Sequence, residues 1–251
     1  MDDSSLHLVV LVHGFQGNSL DMKMIKNTIS VLYPETSFLC ATSNEELTDT
    51  DILEMGNRLA AEVKNHILEF FPPGTLQRIS FIGHSLGGVI IRAALPRLLD
   101  LKDKFHTLLT FSSPHLGYKV NGSSVIGAGI WVLQKFKGSN CLKQLTMGDS
   151  ADPRETVLFR ISKLEGVRFF KNIFLFSSKQ DSYAPFESAR IEIHPDFMNA
   201  KDPLKEVHCE MVRSILEGVD PASLHRVRVS FTIEGTSIDT IIGRTAHILF
   251  L

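Results

Sequence analysis

The sequence is poor in several things, and each shortage excludes a class. It has 3 cysteines in 251 residues (Cys40, Cys141 and Cys209), odd in number and far apart. That excludes a disulfide framework and the paired spacing of a zinc site. Charge of one sign is lacking: 26 Lys+Arg face 28 Asp+Glu, a net charge of −2. A nucleic-acid-binding protein would carry a basic excess. Long apolar runs are lacking too, since none reaches the roughly 18 residues that a membrane-spanning helix needs. The opening Met1-Asp2-Asp3-Ser4-Ser5 is acidic where a signal peptide would be basic, so the expected location is cytoplasmic. What is present is ordinary for a folded chain, 43% hydrophobic and 22% charged, which excludes general disorder. The mean hydropathy of +0.07 leaves a membrane-surface substrate open. The length suits a single α/β domain spanning 1–251, with a core large enough to need no staples.

Leu6 to Val12 (LHLVVLV) is a short, Val-rich apolar run of the kind that forms a strand buried on both faces. It ends in a glycine-punctuated loop, His13-Gly14-Phe15-Gln16-Gly17. Asn18 or Ser19 can then cap a helix with Met22, Ile25, Ile29 and Leu32 on one side, stopped by Pro34. Further strands are expected at 37–41, 78–82, 105–111, 170–176 and 226–233. Asp51 to Phe71 reads as a long amphipathic helix with Ile52, Met55, Leu59, Val63, Ile67 and Phe70 on its stripe. Strands alternating with helices give a mostly parallel sheet with helices on both faces. Residues 118–168 break the rhythm and read as a helical insertion over the carboxyl edge of the sheet.

Gly83-His84-Ser85-Leu86-Gly87 fits G-x-S-x-G and falls between an apolar strand and a helix, where a nucleophile elbow must sit. Ser85 is the candidate nucleophile. Side chains at 83 and 87 would collide with neighbouring backbone, so both positions are glycine. Acyl transfer passes through an oxyanion that backbone amides must hold. Leu86 can supply one amide, and the loop after the first strand the other, from Phe15 or Gln16.

These features together resemble the α/β-hydrolases. More narrowly, the chain is similar to the lipase-like serine esterases of the family with sequence similarity 135. The residues that carry the likeness are HGFQGNSLDM (13–22), FIGHSLGG (81–88), FSSPHLGY (111–118), QLTMGDSADPRETVLFRIS (144–162) and QDSYAPFESARIE (180–192). The resemblance implies a Ser–Asp–His triad, hydrolysis of a carboxylic ester of a lipid, and no metal or organic cofactor. In larger members of the family the domain closes a longer protein, and this chain would correspond to the hydrolase module.

The acid of such a triad follows the serine in sequence and the histidine comes last. Asp181 lies in a turn-rich loop just past the fifth expected strand and matches the family motif. His247 comes after the last strand and matches the terminal histidine of the family. His13 and His84 are expected to shape the substrate pocket rather than act as base. His115 reads as a rim or packing residue, and His208, on an amphipathic helix, as structural. Within the insertion, Ile126, Ile130, Leu133 and Phe136 trace an apolar stripe beside Trp131. That segment reads either as a lid that lines an acyl pocket and touches a membrane surface, or as a cap packed on the core. Only four residues follow His247, so the closing helix usual for the fold is not expected. Two other readings stay open: an acyltransferase or thioesterase, and a non-catalytic interaction module.

Overall fold

The computed structural model describes residues 6–118, 138–197, 202–232 and 244–251. The first strand, β1 (Leu6–Val12), has the bounds its sequence predicts. Leu8, Val10 and Val12 turn to one face and Val9 and Leu11 to the other, and all five are buried. A strand apolar on both faces needs partners on both edges as well as layers above and below. Its partners are β2 (Thr36–Cys40) and β3 (Leu76–His84), both parallel to it. The sheet continues through β4 (Phe105–Phe111), β5 (Asn172–Ser178) and β6 (Leu224–Val229). The order is β2-β1-β3-β4-β5-β6, and every neighbouring pair is parallel.

Helices cover both faces. α1 (Lys23–Leu32) packs Ile25 and Ile29 over Val9, Leu11 and Ile82. It follows a single 3-10 turn, Ser19–Met22, that Asn18 and Asp21 close as a reciprocal capping box. α2 (Ile52–Phe70) and α3 (Leu86–Ala94) lie on the other face, in the main core. They approach closely at Gly56, where a Cβ would fall 2.6 Å from the Cβ of Ala93. Two apolar residues of the expected stripes are instead open to solvent, Leu32 at 65% and Phe70 at 58%. Each is the last residue of its helix, at the turn where the chain leaves the helix for the next strand.

Strands β2, β3, β5 and β6 differ from expectation by a few residues, β2 beginning at Thr36 and β3 running from Leu76 to His84. Phe170 is buried in the main core but lies ahead of β5, which starts at Asn172. β6 ends at Val229 rather than 233. Its one partner is β5, whose last residue, Ser178, pairs with Val229. Beyond that position the ladder gives way to side-chain bonds, with the Phe231 backbone pairing to the Gln180 side-chain amide at 2.7 and 2.8 Å.

The described part of the irregular stretch is helical. α4 (Asn140–Leu145) is capped by Ser139 and α5 (Val157–Ser162) by Thr156, with a 3-10 turn at Pro153–Glu155 between them. Cys141, Leu142, Leu145, Leu158 and Ile161 sink into the main core. The stripe from Ile126 to Phe136, with Trp131, lies outside the described residues. α6 (Phe186–Arg190) and α7 (Pro203–Ile215) follow β5, and α8 (Arg244–Ile248) carries His247. Among the described residues no helix is long and apolar enough to cross a membrane.

Candidate active site

β3 delivers Ser85. The strand ends at His84, and Ser85 bends the chain into α3 with φ 52° and ψ −124°. A serine at positive φ is strained by about 1–3 kcal/mol and persists only where its surroundings fix it. They do so here. The Ser85 amide donates to the Phe111 carbonyl on β4 at 2.8 Å, and the Gly88 amide donates back to the Ser85 carbonyl at 3.3 Å. The turn is tight enough that a Cβ on Gly87 would sit 2.3 Å from the Val12 carbonyl oxygen. One on Gly83 would sit 2.6 Å from the Gly88 nitrogen. The sequence reading of those two glycines therefore has its physical cause in the neighbouring backbone. No side chain caps α3, so Leu86 opens a helix whose first amides face the site unscreened by a capping group.

β1 delivers the loop 13–17. Gly14 lies against the elbow, since a Cβ there would meet the Ser85 Cβ at 2.9 Å. Gln16 has φ 53° and donates its amide to Thr48 Oγ1 at 2.8 Å. Of the two amides the sequence offered for the oxyanion, that of Gln16 is thus committed to Thr48. His13 is buried, and its Nδ1 donates to the Gly14 carbonyl at 3.0 Å.

β5 delivers Asp181. Its carboxylate is nearly closed to solvent, with 1% of the side chain exposed. Oδ1 accepts the amides of Tyr183 at 2.7 Å and Ala184 at 3.1 Å. Oδ2 accepts from His247 Nδ1 at 2.7 Å. Burial alone would raise the carboxyl pKa. The His247 imidazole and the Tyr183 amide outweigh it and hold Asp181 below the usual carboxylate range.

The structure therefore brings Asp181 and His247 together and sets His247 against the elbow. The His84 ring, one residue before Ser85, lies 4.8 Å from the His247 ring, and Tyr183 flanks it from another direction at 5.3 Å. Among the described residues Ser85 Oγ and His247 Nε2 are not hydrogen-bonded to each other. In unliganded enzymes this contact often tightens only when substrate arrives. His208 is buried on α7 with Nδ1 donating to the Leu204 carbonyl at 2.8 Å, an in-helix bond that suits a structural side chain. His115 is also buried, with Nε2 3.1 Å from Thr110 Oγ1, and burial holds its pKa well below the ordinary value. The carbonyl of His115 and that of Ile161 accept from the buried guanidinium of Arg92. Trp131 falls outside the described residues. Among the described residues no group of three His, Cys, Asp or Glu side chains could hold a metal ion.

Sequence reasoning missed the supporting contacts. Tyr183, Thr48 and the bond between His84 and His247 join residues far apart in the chain, and no local spacing announces them. A groove of about 720 Å³ lined by His7, Ile29, Tyr33, Ser80 and His106 lies elsewhere. His7 pairs with Arg78, six residues before His84 on β3. That puts the groove roughly 20 Å from the elbow along the strand.

A family model described as "Putative serine esterase (DUF676)" matches residues 2–193. The chain belongs to that family. The match includes Ser85, the loop 13–17 and Asp181, whereas His247 lies past its end. The chain is also 30% identical over 132 residues to "Putative lipase ROG1" of Saccharomyces cerevisiae. That match covers 48% of this chain and 19% of the yeast protein, so the chain spans about a fifth of that relative's length. Among solved structures, the product of the lin2722 gene of Listeria innocua is similar at 10% identity, covering 96% of this chain and 88% of that one, with a TM-score of 0.48. An esterase of Pyrococcus furiosus is similar at 14% identity, covering 92% and 74%, with a TM-score of 0.46. The protein is thus a member of a serine esterase family, built on a six-stranded parallel sheet.

Proposed function

We propose that the protein hydrolyses carboxylic esters of lipids through an acyl-enzyme on Ser85. The observation that carries this reading is the 2.7 Å bond from His247 Nδ1 to the buried Asp181 carboxylate, beside a serine held at φ 52°. His247 takes the Ser85 proton as the hydroxyl attacks the ester carbonyl, then gives it to the leaving alcohol. Asp181 fixes the imidazole with its Nδ1 proton toward the carboxylate, which frees Nε2 for the serine, and stabilises the imidazolium. The amides of Phe15 and Leu86 hold the oxyanion. Water activated by His247 then releases the acid and restores Ser85. His13 shapes the substrate pocket, and residues 126–136 are rich in apolar side chains, Trp131 among them. The apolar composition of that segment supports a lipid substrate and contact with a membrane surface.

A fluorophosphonate probe should label Ser85 in the intact protein and leave the Ser85→Ala variant unlabelled. Ser85→Ala should lower kcat on p-nitrophenyl esters by about 10⁴–10⁶-fold. A folded Ser85→Ala protein with full esterase activity would sink the assignment. Across a p-nitrophenyl series, rates should rise from acetate toward medium and long chains; a strict preference for acetate would remove the lipid substrate.

A further inference from the structure

His247 stands on α8, a helix of five residues. So short a helix has no stability of its own in water. Contacts with the rest of the molecule must therefore hold the residue in place. One is the Asp181 bond to its ring. Another is apolar: two residues past α8, Phe250 packs between Phe111 and Phe231. A third reaches the backbone of His247 itself. His84 Nε2 lies 3.0 Å from the His247 carbonyl oxygen, and both groups are buried. A carbonyl can only accept, so Nε2 of His84 carries the proton and donates. The other nitrogen, Nδ1, faces the loop 13–17, where a Cβ on Gly14 would come within 3.3 Å of it.

We propose that His84 is a positioning residue that ties the general base to the elbow, through its Nε2 hydrogen bond to the His247 carbonyl and its ring contact with the His247 imidazole. The inference rests on the serine-hydrolase reading above and gives His84 a role in it other than lining the pocket. His84 adjoins Ser85 in the chain and sits at the end of β3, paired with Phe111 on β4. It therefore shares the rigid frame of the nucleophile. A bond from that frame to the backbone of the base sets the distance between Ser85 and the imidazole. The Asp181 bond sets the imidazole's rotation and tautomer. Two ties at different atoms fix what one would leave free to swing. Burial, with the neighbouring His247 adding to it, lowers the His84 pKa to about 3. The ring consequently stays neutral, with one fixed donor, throughout the range in which esterases work.

The test compares His84→Phe, which keeps a packed ring but has no donor, with His84→Gln, whose side-chain amide can still donate. Three readouts are taken on the intact chain: kcat and KM for a p-nitrophenyl ester, the rate of fluorophosphonate labelling, and the downfield proton resonance of the His247–Asp181 bond. His84→Phe should lower kcat by about 10–100-fold, the size of loss expected from misplacing a reacting group by an ångström or less. KM should stay within about twofold, as expected when an interaction made only in the transition state is lost. The downfield resonance should shift or broaden, and His84→Gln should recover most of each effect. If His84→Phe does not fold, His84→Asn replaces it, because its amide is one methylene too short to reach the carbonyl.

Native kcat and an unshifted resonance in the donor-free variant would overturn the proposal. So would equal losses in the donor-free and donor-retaining variants, or a rise in KM alone, which would make His84 a substrate contact. Failure of the probe to label native Ser85 would instead overturn the serine-hydrolase reading itself.

Discussion

His247 Nδ1 and Asp181 Oδ2 lie 2.7 Å apart although 66 positions separate them in the chain. The carboxylate cannot turn away. Its second oxygen is already held by the Tyr183 and Ala184 amides, and the side chain is closed to solvent. A carboxylate fixed in this way accepts from one ring nitrogen only, so it selects the tautomer whose Nε2 can take a proton.

Asp181→Asn should therefore keep the fold and lose the chemistry. The amide of Asn can turn its NH₂ toward the ring, which favours the tautomer with its proton on Nε2. That tautomer cannot act as a base toward Ser85. The expected loss in kcat is about 10⁴-fold, the cost of a wrong tautomer in a serine triad. Steady-state rates on a p-nitrophenyl ester, with circular dichroism to confirm folding, measure it. A loss smaller than tenfold in a folded variant would show that Asp181 does not orient the base.

The glycines at the elbow give a test on stability. A Cβ on Gly87 would meet the Val12 and His13 carbonyl oxygens at 2.3 and 2.8 Å. Both are backbone atoms at the end of a central strand, so neither can retreat cheaply. Gly87→Ala should cost about 1–3 kcal/mol by overpacking and should also reduce esterase activity, because Ser85 moves with the turn. Gly138 is the contrast, with nothing within 4 Å of an added Cβ. Gly138→Ala should stay within about 0.5 kcal/mol of the native protein. Urea unfolding of the two variants decides it, and equal midpoints would contradict the contact argument.

The elements best read from sequence were those specified by their own residues. β1 and β4 have the expected bounds because their apolar runs begin and end with the strands themselves. Ser85 was legible because an elbow requires glycine at two fixed offsets, and the backbone contacts at Gly83 and Gly87 show why. What stayed hidden depends on partners. The end of β6 is set by the last residue of β5, and no pattern within β6 marks it. The bond from Gln16 to Thr48, which occupies the Gln16 amide, spans 32 positions. The histidine of the G-x-S-x-G motif reads as pocket lining because x admits any residue. Its bond to His247 spans 163 positions and exists only once α8 folds back beside the end of β3.

The buried histidines set how the protein responds to acid. His84 has its pKa lowered to about 3 by burial and by His247, from an ordinary value of 6.5. Burial, with Arg92 adding to it, likewise lowers that of His115. Below pH 6.5 the unfolded chain takes up protons at these sites and the native chain does not. The unfolded state then binds more protons, so stability rises with pH and falls as the solution is acidified. The slope is roughly 1.4 kcal/mol per pH unit for each histidine kept neutral. Asp181 works in the same direction but lower on the scale. Its depressed pKa stabilises the native state above the ordinary value of 3.8, and that contribution is lost only as pH drops through the lowered one. Between pH 6.5 and about 5 the wholly or partly buried histidines, His7 and His208 as well as His84 and His115, should govern the loss. Urea midpoints at pH 7 and pH 5 should therefore differ clearly, and His84→Gln, which has no ring to protonate, should flatten the difference. Equal stability of the native chain at the two pH values would mean that these histidines exchange protons with solvent in the folded state, contrary to their burial.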